Sequence, residues 1–225
     1  MSVLAHSAPG ASAPHVWGSA DPWTHALRTG RGPLFLHRRD GWLLPLDVER
    51  WCAEPDEADR TVLGRCRGSV LDIGCGPGRL VGSLAARGVP VLGIDVSAEA
   101  VRRTERAGGP ALVRSVFETL PGEGRWDTVL LMDGNIGIGG DPAALLGRVA
   151  EIAGPRGTVI VEAAQDEELD ELVEVRLHDG RRAHGGAFPW ARVGLAALLR
   201  HARAAGWAPR LTWAADARHF AALHR

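Results

Sequence analysis

The stretch at residues 70–80, VLDIGCGPGRL, limits the possible folds more than any other part of the chain. Val70, Leu71 and Ile73 form an apolar run of the kind a buried parallel strand needs. Gly74, Gly76 and Gly78 follow, and residues 79–87 carry apolar side chains at helical spacing. The pattern reads as strand, tight glycine turn, helix. Glycines in such a turn permit positive φ and let a ligand approach the main chain with no Cβ between them. The helix then begins with N–H groups free to meet that ligand. A second apolar run, 91–94, ends in Asp95, seventeen residues past Gly78. In nucleotide-binding α/β folds an acid at that place takes ribose hydroxyls.

Spacing separates the candidate ligands. The dinucleotide fingerprint G-x-G-x-x-G uses a third glycine for close helix–strand packing. Counted from Gly74 and Gly76, that glycine falls on Arg79. The pattern is G-x-G-x-G instead, with Asp72 in front of it. An acid beside the turn repels a pyrophosphate and suits a ligand carrying an ammonium group. A nicotinamide-dependent reductase is therefore a poor match.

On these residues the chain resembles the class I S-adenosylmethionine-dependent methyltransferases. The resemblance rests on Leu71-Asp72-Ile73-Gly74-Cys75-Gly76-Pro77-Gly78 and on Gly93-Ile94-Asp95-Val96-Ser97, and it covers roughly residues 68–162. It implies an α/β fold, a doubly wound, mostly parallel seven-stranded sheet with helices on both faces and an antiparallel last strand. It implies S-adenosylmethionine as methyl donor and S-adenosylhomocysteine as product. Gly74, Cys75, Gly76 and Gly78 would line the methionine part, with Asp72 near the ammonium. Asp95 would hold the ribose, and Val96, Val116 and Phe117 would flank adenine. Asp133, Gly134 and Asn135, after the fourth strand, would pass beside the sulfonium and the acceptor. One position departs from the family. An aspartate is common after strand three, but Ser115-Val116 supplies none. That leaves Glu118 or a backbone group for the adenine amino group.

Composition bounds the chemistry. The 225 residues suit one α/β domain, and 45% hydrophobic content supports a real core. All 26 basic residues are arginine, and tyrosine is absent. This excludes a Schiff-base lysine and a tyrosine acid or base. Net charge is −1, which gives no general attraction to DNA or to an anionic membrane. Cys52, Cys66 and Cys75 show no C-x-x-C spacing, so the expectation is reduced thiols in the cytoplasm and no metal site. No apolar run approaches membrane-spanning length.

Taken in order, residues 1–15 read as a disordered Ala/Ser/Pro-rich tail without a cationic start, a poor signal peptide. Residues 16–67 form an extension holding Trp17, Trp23, Trp42 and Trp51, expected to be helical or irregular and to act as a lid or acceptor-pocket element. Within it Asp21-Pro22 opens a helix, Asp40-Gly41 marks a turn, and helices cover 47–51 and 56–67. The core domain, 68–225, alternates strands (69–73, 89–94, 111–116, 128–132, 157–162) with helices, the pattern of a parallel sheet. Residues 165–172 suggest a short helix, 172–178 a strand, and 183–188 a partner strand or loop. Residues 190–205 suggest an amphipathic helix, with 211–213 and 219–223 as a final antiparallel pair.

Methyl transfer from a sulfonium needs a base only when the acceptor is a poor nucleophile. The base candidates are His37, His178, His184, His219, Asp133 and Glu162; His184, in the late insertion, and Asp133 lead. The reading is a methyltransferase for a small-molecule acceptor, as monomer or homodimer. RNA methylation, or a non-catalytic protein of the same fold that only binds S-adenosylmethionine, are the alternatives.

Overall fold

The computed structural model describes residues 21–225; the expected tail at 1–15 and Trp17 lie outside that range. Helix α1 (Pro22–Thr29) begins as its sequence dictates: Asp21 accepts from the Thr24 N–H at 2.7 Å and Pro22 holds the first helical position. Strands β1 (Phe35–Arg38) and β2 (Leu43–Pro45) form a hairpin whose turn contains Asp40 and Gly41. Helices α2 (Val48–Trp51) and α3 (Glu57–Leu63) follow, α3 opened by a reciprocal Asp56/Asp59 capping box. It ends at Leu63, short of the expected 67, where Gly64 caps it.

The core comprises β3 (Val70–Ile73), α4 (Arg79–Ala86), β4 (Val91–Asp95), α5 (Ala98–Arg106), β5 (Ala111–Val113), β6 (Trp126–Leu131), α6 (Pro142–Ile152) and β7 (Ala153–Ala163). An inserted hairpin, β8 (Asp170–His178) and β9 (Ala183–Val193), precedes α7 (Leu195–Ala204), β10 (Ala208–Ala215) and β11 (Arg218–His224). The main sheet has the order β10-β11-β7-β6-β3-β4-β5. Strands β3 to β7 pair in parallel, and β11 runs antiparallel to both its neighbours. This is the doubly wound seven-stranded sheet expected. Each strand divides its side chains between two cores. Leu71, Val129 and Val159 pack with α6 and α7. Val70, Leu130 and Ile160 pack with α3 and α4. The strand order reverses at β3 and β6, so a crevice opens beyond their carboxyl ends.

A second sheet closes that crevice. The hairpin β1–β2 and the hairpin β8–β9 join as four antiparallel strands in the order β2-β1-β8-β9, with Phe35 opposite His178. The extension is thus not merely helical or irregular: it supplies half of a sheet with its own core, including Leu34, Leu36, Val175, Leu177 and Phe188. Two other expectations are corrected. Residues 165–172 form no helix; β8 starts at Asp170. Residues 190–193 are the end of β9, paired with 170–173, and the helix starts only at Leu195. Trp190–Val193 satisfies either periodicity, and pairing with β8 decides between them. Among the described residues no helix is long and apolar enough to cross a membrane.

Candidate active site

The glycine turn forms the floor of the crevice. Gly74 and Cys75 both donate to the Ile94 carbonyl, at 2.8 and 3.0 Å, which ties the end of β3 to the end of β4. Gly74, Gly76 and Gly78 all have positive φ. Their reasons differ. A Cβ on Gly78 would lie 2.6 Å from the Thr104 hydroxyl, so this glycine lets α4 approach α5. A Cβ on Gly76 would meet nothing within 4 Å, so this glycine faces open space. Asp95 receives the Gly76 N–H at 3.0 Å and the Ser97 N–H at 2.8 Å and is almost fully buried. Burial nonetheless pushes its carboxyl up to about 6, against the pull of those N–H donors. Asp72 is pushed up to about 7, first by burial and then by the nearby Asp133 charge.

Beyond β6, Asp133 adopts φ 56 and Gly134 φ 83, turning the chain back across the sheet end. Asn135 donates both to the Ile73 carbonyl at 2.9 Å and to the Gly74 carbonyl at 3.0 Å. The loop is braced from the other side by β9: Ile138 bridges to Trp190, and a Cβ on Gly137 would lie 2.2 Å from the Ala191 carbonyl.

A buried ion cluster ties the extension to this loop. The Arg79 side chain is 3% exposed and pairs with Asp59 at 2.8 Å and Asp133 at 3.1 Å. Arg50 of α2 reaches Asp133 at 2.9 Å. Arg218 joins Asp56, Asp59 and Glu162, and Glu162 in turn accepts the Asp133 N–H at 2.9 Å. Although burial acts against the Arg79 and Arg218 charges, the carboxylates around them hold both guanidiniums above their ordinary range.

Over this floor lies a cavity of about 450 Å³. Its far wall is apolar and comes from the second sheet and the extension: Trp23, Leu36, Trp51, Leu177, Phe188 and Trp190. A model of the methyltransferase domain family matches residues 46–218. The chain belongs to the methyltransferase domain family. Its fold is that of the class I S-adenosylmethionine-dependent enzymes, and solved structures agree. A S-adenosylmethionine-dependent methyltransferase from Bacteroides fragilis, in complex with S-adenosyl-L-homocysteine, superposes with TM-score 0.73 at 17% identity, over 90% of this chain and 92% of that one. The 1,6-didemethyltoxoflavin-N1-methyltransferase of Burkholderia thailandensis, with 1,6-didemethyltoxoflavin and S-adenosylhomocysteine bound, gives 0.54 at 20% identity, over 74% of each chain. An O-methyltransferase from neocarzinostatin biosynthesis, in complex with S-adenosyl-L-homocysteine and 1,4-dihydroxy-2-naphthoic acid, gives 0.53 at 23%, over 73% of this chain and 52% of that one.

Most of the expected residues of this methyltransferase come together. Asp72, Gly74, Cys75, Gly76, Asp95, Val96, Val116, Phe117, Asp133 and Asn135 all line the one cavity. Gly78 and Gly134 do not; they shape the turns behind it. Glu118 does not line the cavity and accepts the Ser115 N–H at 2.8 Å, leaving Arg114 and Ser115 as the polar side chains on that wall. His184 is displaced furthest from its expected role. It sits near the β8–β9 turn, 2.7 Å from Asp179, and does not line the cavity. Asp179 is itself held well below the usual carboxylate range by the N–H groups of Arg182 and Arg181 and by His184. None of the described histidines lines the cavity. Asp133 does line it, but its carboxylate is engaged by Arg50 and Arg79. Sequence reasoning missed Arg50, Arg79 and Arg218, whose partners lie up to 162 residues away. The available signal was Asp59, an acid that α3 would place on its apolar face with Ala58, Val62 and Leu63.

Proposed function

We propose that the chain transfers a methyl group from S-adenosylmethionine to a small-molecule acceptor. The observation that carries this is the continuity of one cavity from the glycine turn, Asp72 and Asp95 to an apolar far wall, so that donor and acceptor share one enclosure. The floor fits the donor. Gly76 leaves open the space a Cβ would fill, and two buried carboxylates face that space at the ends of adjacent strands. Asp95 would accept from the ribose hydroxyls, Asp72 would face the ammonium, and Val96, Val116 and Ser115 would border the adenine. Two relatives of the same fold hold small ring compounds with the product of the donor, which supports a small acceptor here.

S-adenosylmethionine supplies a methyl group already activated on a sulfonium. The chain has to bind it, align an acceptor with it and keep water out, and such positioning alone accounts for large accelerations. Asn135 holds the loop beside the reacting centre against the glycine turn. Asp133 acts as an anchor for Arg50 and Arg79, and so for the extension, in preference to proton transfer. The described part of the extension, residues 21–67, serves as the lid over the core domain, 68–225. The cytoplasm suits three cysteines that are all unpaired.

The test is production of S-adenosylhomocysteine from S-adenosylmethionine with small-molecule extracts, with total RNA and with total protein as separate acceptors. The proposal predicts turnover with the small-molecule fraction. Turnover confined to RNA or protein contradicts it.

A further inference from the structure

We infer that the acceptor is a flat, largely apolar ring compound, held by an aromatic wall built from Trp51, Phe188 and Trp190. This rests on the methyl-transfer reading above and adds the class of substrate. Two aromatic pairs from distant parts of the chain meet at one cavity. Trp23 and Trp51, from the extension, have ring centroids 5.5 Å apart at 45°. Phe188 and Trp190, from the inserted hairpin, stand 6.4 Å apart, edge to face. Leu36 and Leu177, paired across β1 and β8, lie in the same wall.

Neither Trp51 nor Trp190 is fully buried, although both line an interior cavity. The ring surface they present to the cavity is apolar area that a ligand would remove from water. Ring faces also favour offset or edge contacts with another ring, which a flat ligand supplies and a branched polar one does not. Charge points the same way. The charged side chains lining the cavity (Asp72, Arg79, Asp95, Arg114 and Asp133) all belong to the core domain, at or just beyond its strand ends, and the wall from the extension and hairpin contributes none among the described residues. A charged acceptor would lose its water against that wall without an opposite charge to replace it; the unpaired, buried Trp51 indole N–H offers a single hydrogen bond there.

The cavity edge carries the same chemistry. Phe117 is 44% exposed, lines the cavity and abuts Gly139. Leu172, 69% exposed, abuts Gly140, as does Pro189 of the wall. Two large apolar side chains kept in water beside the adjacent loop residues Gly139 and Gly140 give an apolar acceptor a surface to approach along.

The experiment uses binding, so the natural acceptor need not be known. Three of the chain's eight tryptophans, Trp23, Trp51 and Trp190, line the cavity and tyrosine is absent, so a ligand stacked on the wall quenches part of the tryptophan fluorescence. With S-adenosylhomocysteine present, 7-hydroxycoumarin and 7-mercapto-4-methylcoumarin serve as ring probes, and ethanolamine and glycerol as polar probes. The ring probes are expected to quench the fluorescence saturably and the polar probes to leave it unchanged. Trp51→Leu and Trp190→Leu are expected to weaken ring-probe binding about tenfold while calorimetric affinity for S-adenosylhomocysteine stays within about twofold, which also shows that the variants fold. Phe188→Leu serves as a third, smaller perturbation. The inference is overturned if the polar probes bind as tightly as the rings, or if ring binding is unchanged in all three variants. If S-adenosylhomocysteine binds but no ring probe does, the acceptor class falls and methyl transfer stands. If the rings bind through these residues but S-adenosylhomocysteine does not, methyl transfer falls and the ring site stands.

Discussion

Asn135 donates to the Gly74 carbonyl at 3.0 Å, and Gly74 permits this by having no side chain: a Cβ there would lie 2.6 Å from the Asn135 amide nitrogen. The loop after β6 and the turn after β3 are therefore one unit. Gly74→Ala is expected to expel the amide and to destabilise the fold by about 1–3 kcal/mol through the unpaired amide and the strained φ of 70°. Asn135→Asp keeps the shape but replaces the N–H donor with oxygen facing two carbonyls. It should weaken S-adenosylhomocysteine binding by tenfold or more at pH 8, read by calorimetry.

Gly76 and Gly78 should fail in opposite ways. At Gly76 an alanine has φ of 55° to bear but no clash, so stability falls by only about 1–2 kcal/mol while its methyl occupies ligand space. At Gly78 the added methyl meets Thr104, and the loss should reach about 3 kcal/mol or more. Paired thermal melts and ligand titrations separate them: Gly76→Ala should melt near wild type and lose affinity, and Gly78→Ala should lose the fold.

Asp72 makes the unliganded protein sensitive to pH. Its folded value, about 7, lies above the ordinary aspartate value of 3.8, so the folded state binds the extra proton. Its contribution to stability is therefore fullest below about pH 4 and is lost as pH rises toward 7. Asp72→Asn should raise the unliganded melting temperature at pH 8, with a gain of up to about 4 kcal/mol. A ligand ammonium reverses the preference by favouring the carboxylate. Affinity for S-adenosylmethionine should then rise between pH 5 and 7 with release of up to one proton, measurable by calorimetry in buffers of different ionisation enthalpy. A flat profile would refute the contact.

The Arg79 cluster should be costly to break from one side. Asp59 is fully buried, and Arg79→Met takes away its 2.8 Å partner and leaves it only Arg218, at 3.0 Å. A loss of about 3–5 kcal/mol is expected, lowering the melting temperature by roughly 10 °C. Because Arg79 also holds the extension, through Asp59 of α3 and the Arg50 carbonyl of α2, the same change should loosen the extension and raise protease sensitivity near Trp51.

The parts legible in the sequence are those whose signal is local. The glycine turn, Asp95 and the alternating core needed only spacing, and Asp21-Pro22 opens its helix as capping chemistry requires. The second sheet was half visible. Residues 172–178 alternate, but their partner β1 lies some 140 residues earlier, and pairing at that distance leaves no mark in either segment. Trp190–Val193 fits helix and strand alike until its partner is known. The ion cluster escaped for a related reason: arginine is everywhere in this chain, so Arg50, Arg79 and Arg218 carry no compositional signal. Glu118 stood in for an aspartate absent after strand three and His184 sat in the late insertion, yet each is spent on a local turn, with Ser115 and Asp179 respectively.

The most direct test of the account is calorimetric titration of the protein with S-adenosylmethionine and S-adenosylhomocysteine, repeated on Asp95→Ala. Saturable binding of both ligands, weakened in the variant by about 1 kcal/mol or more, the scale of a lost charge-assisted hydrogen bond, is predicted. Absence of binding at millimolar ligand, or equal binding by Asp95→Ala, would contradict the assignment of this cavity.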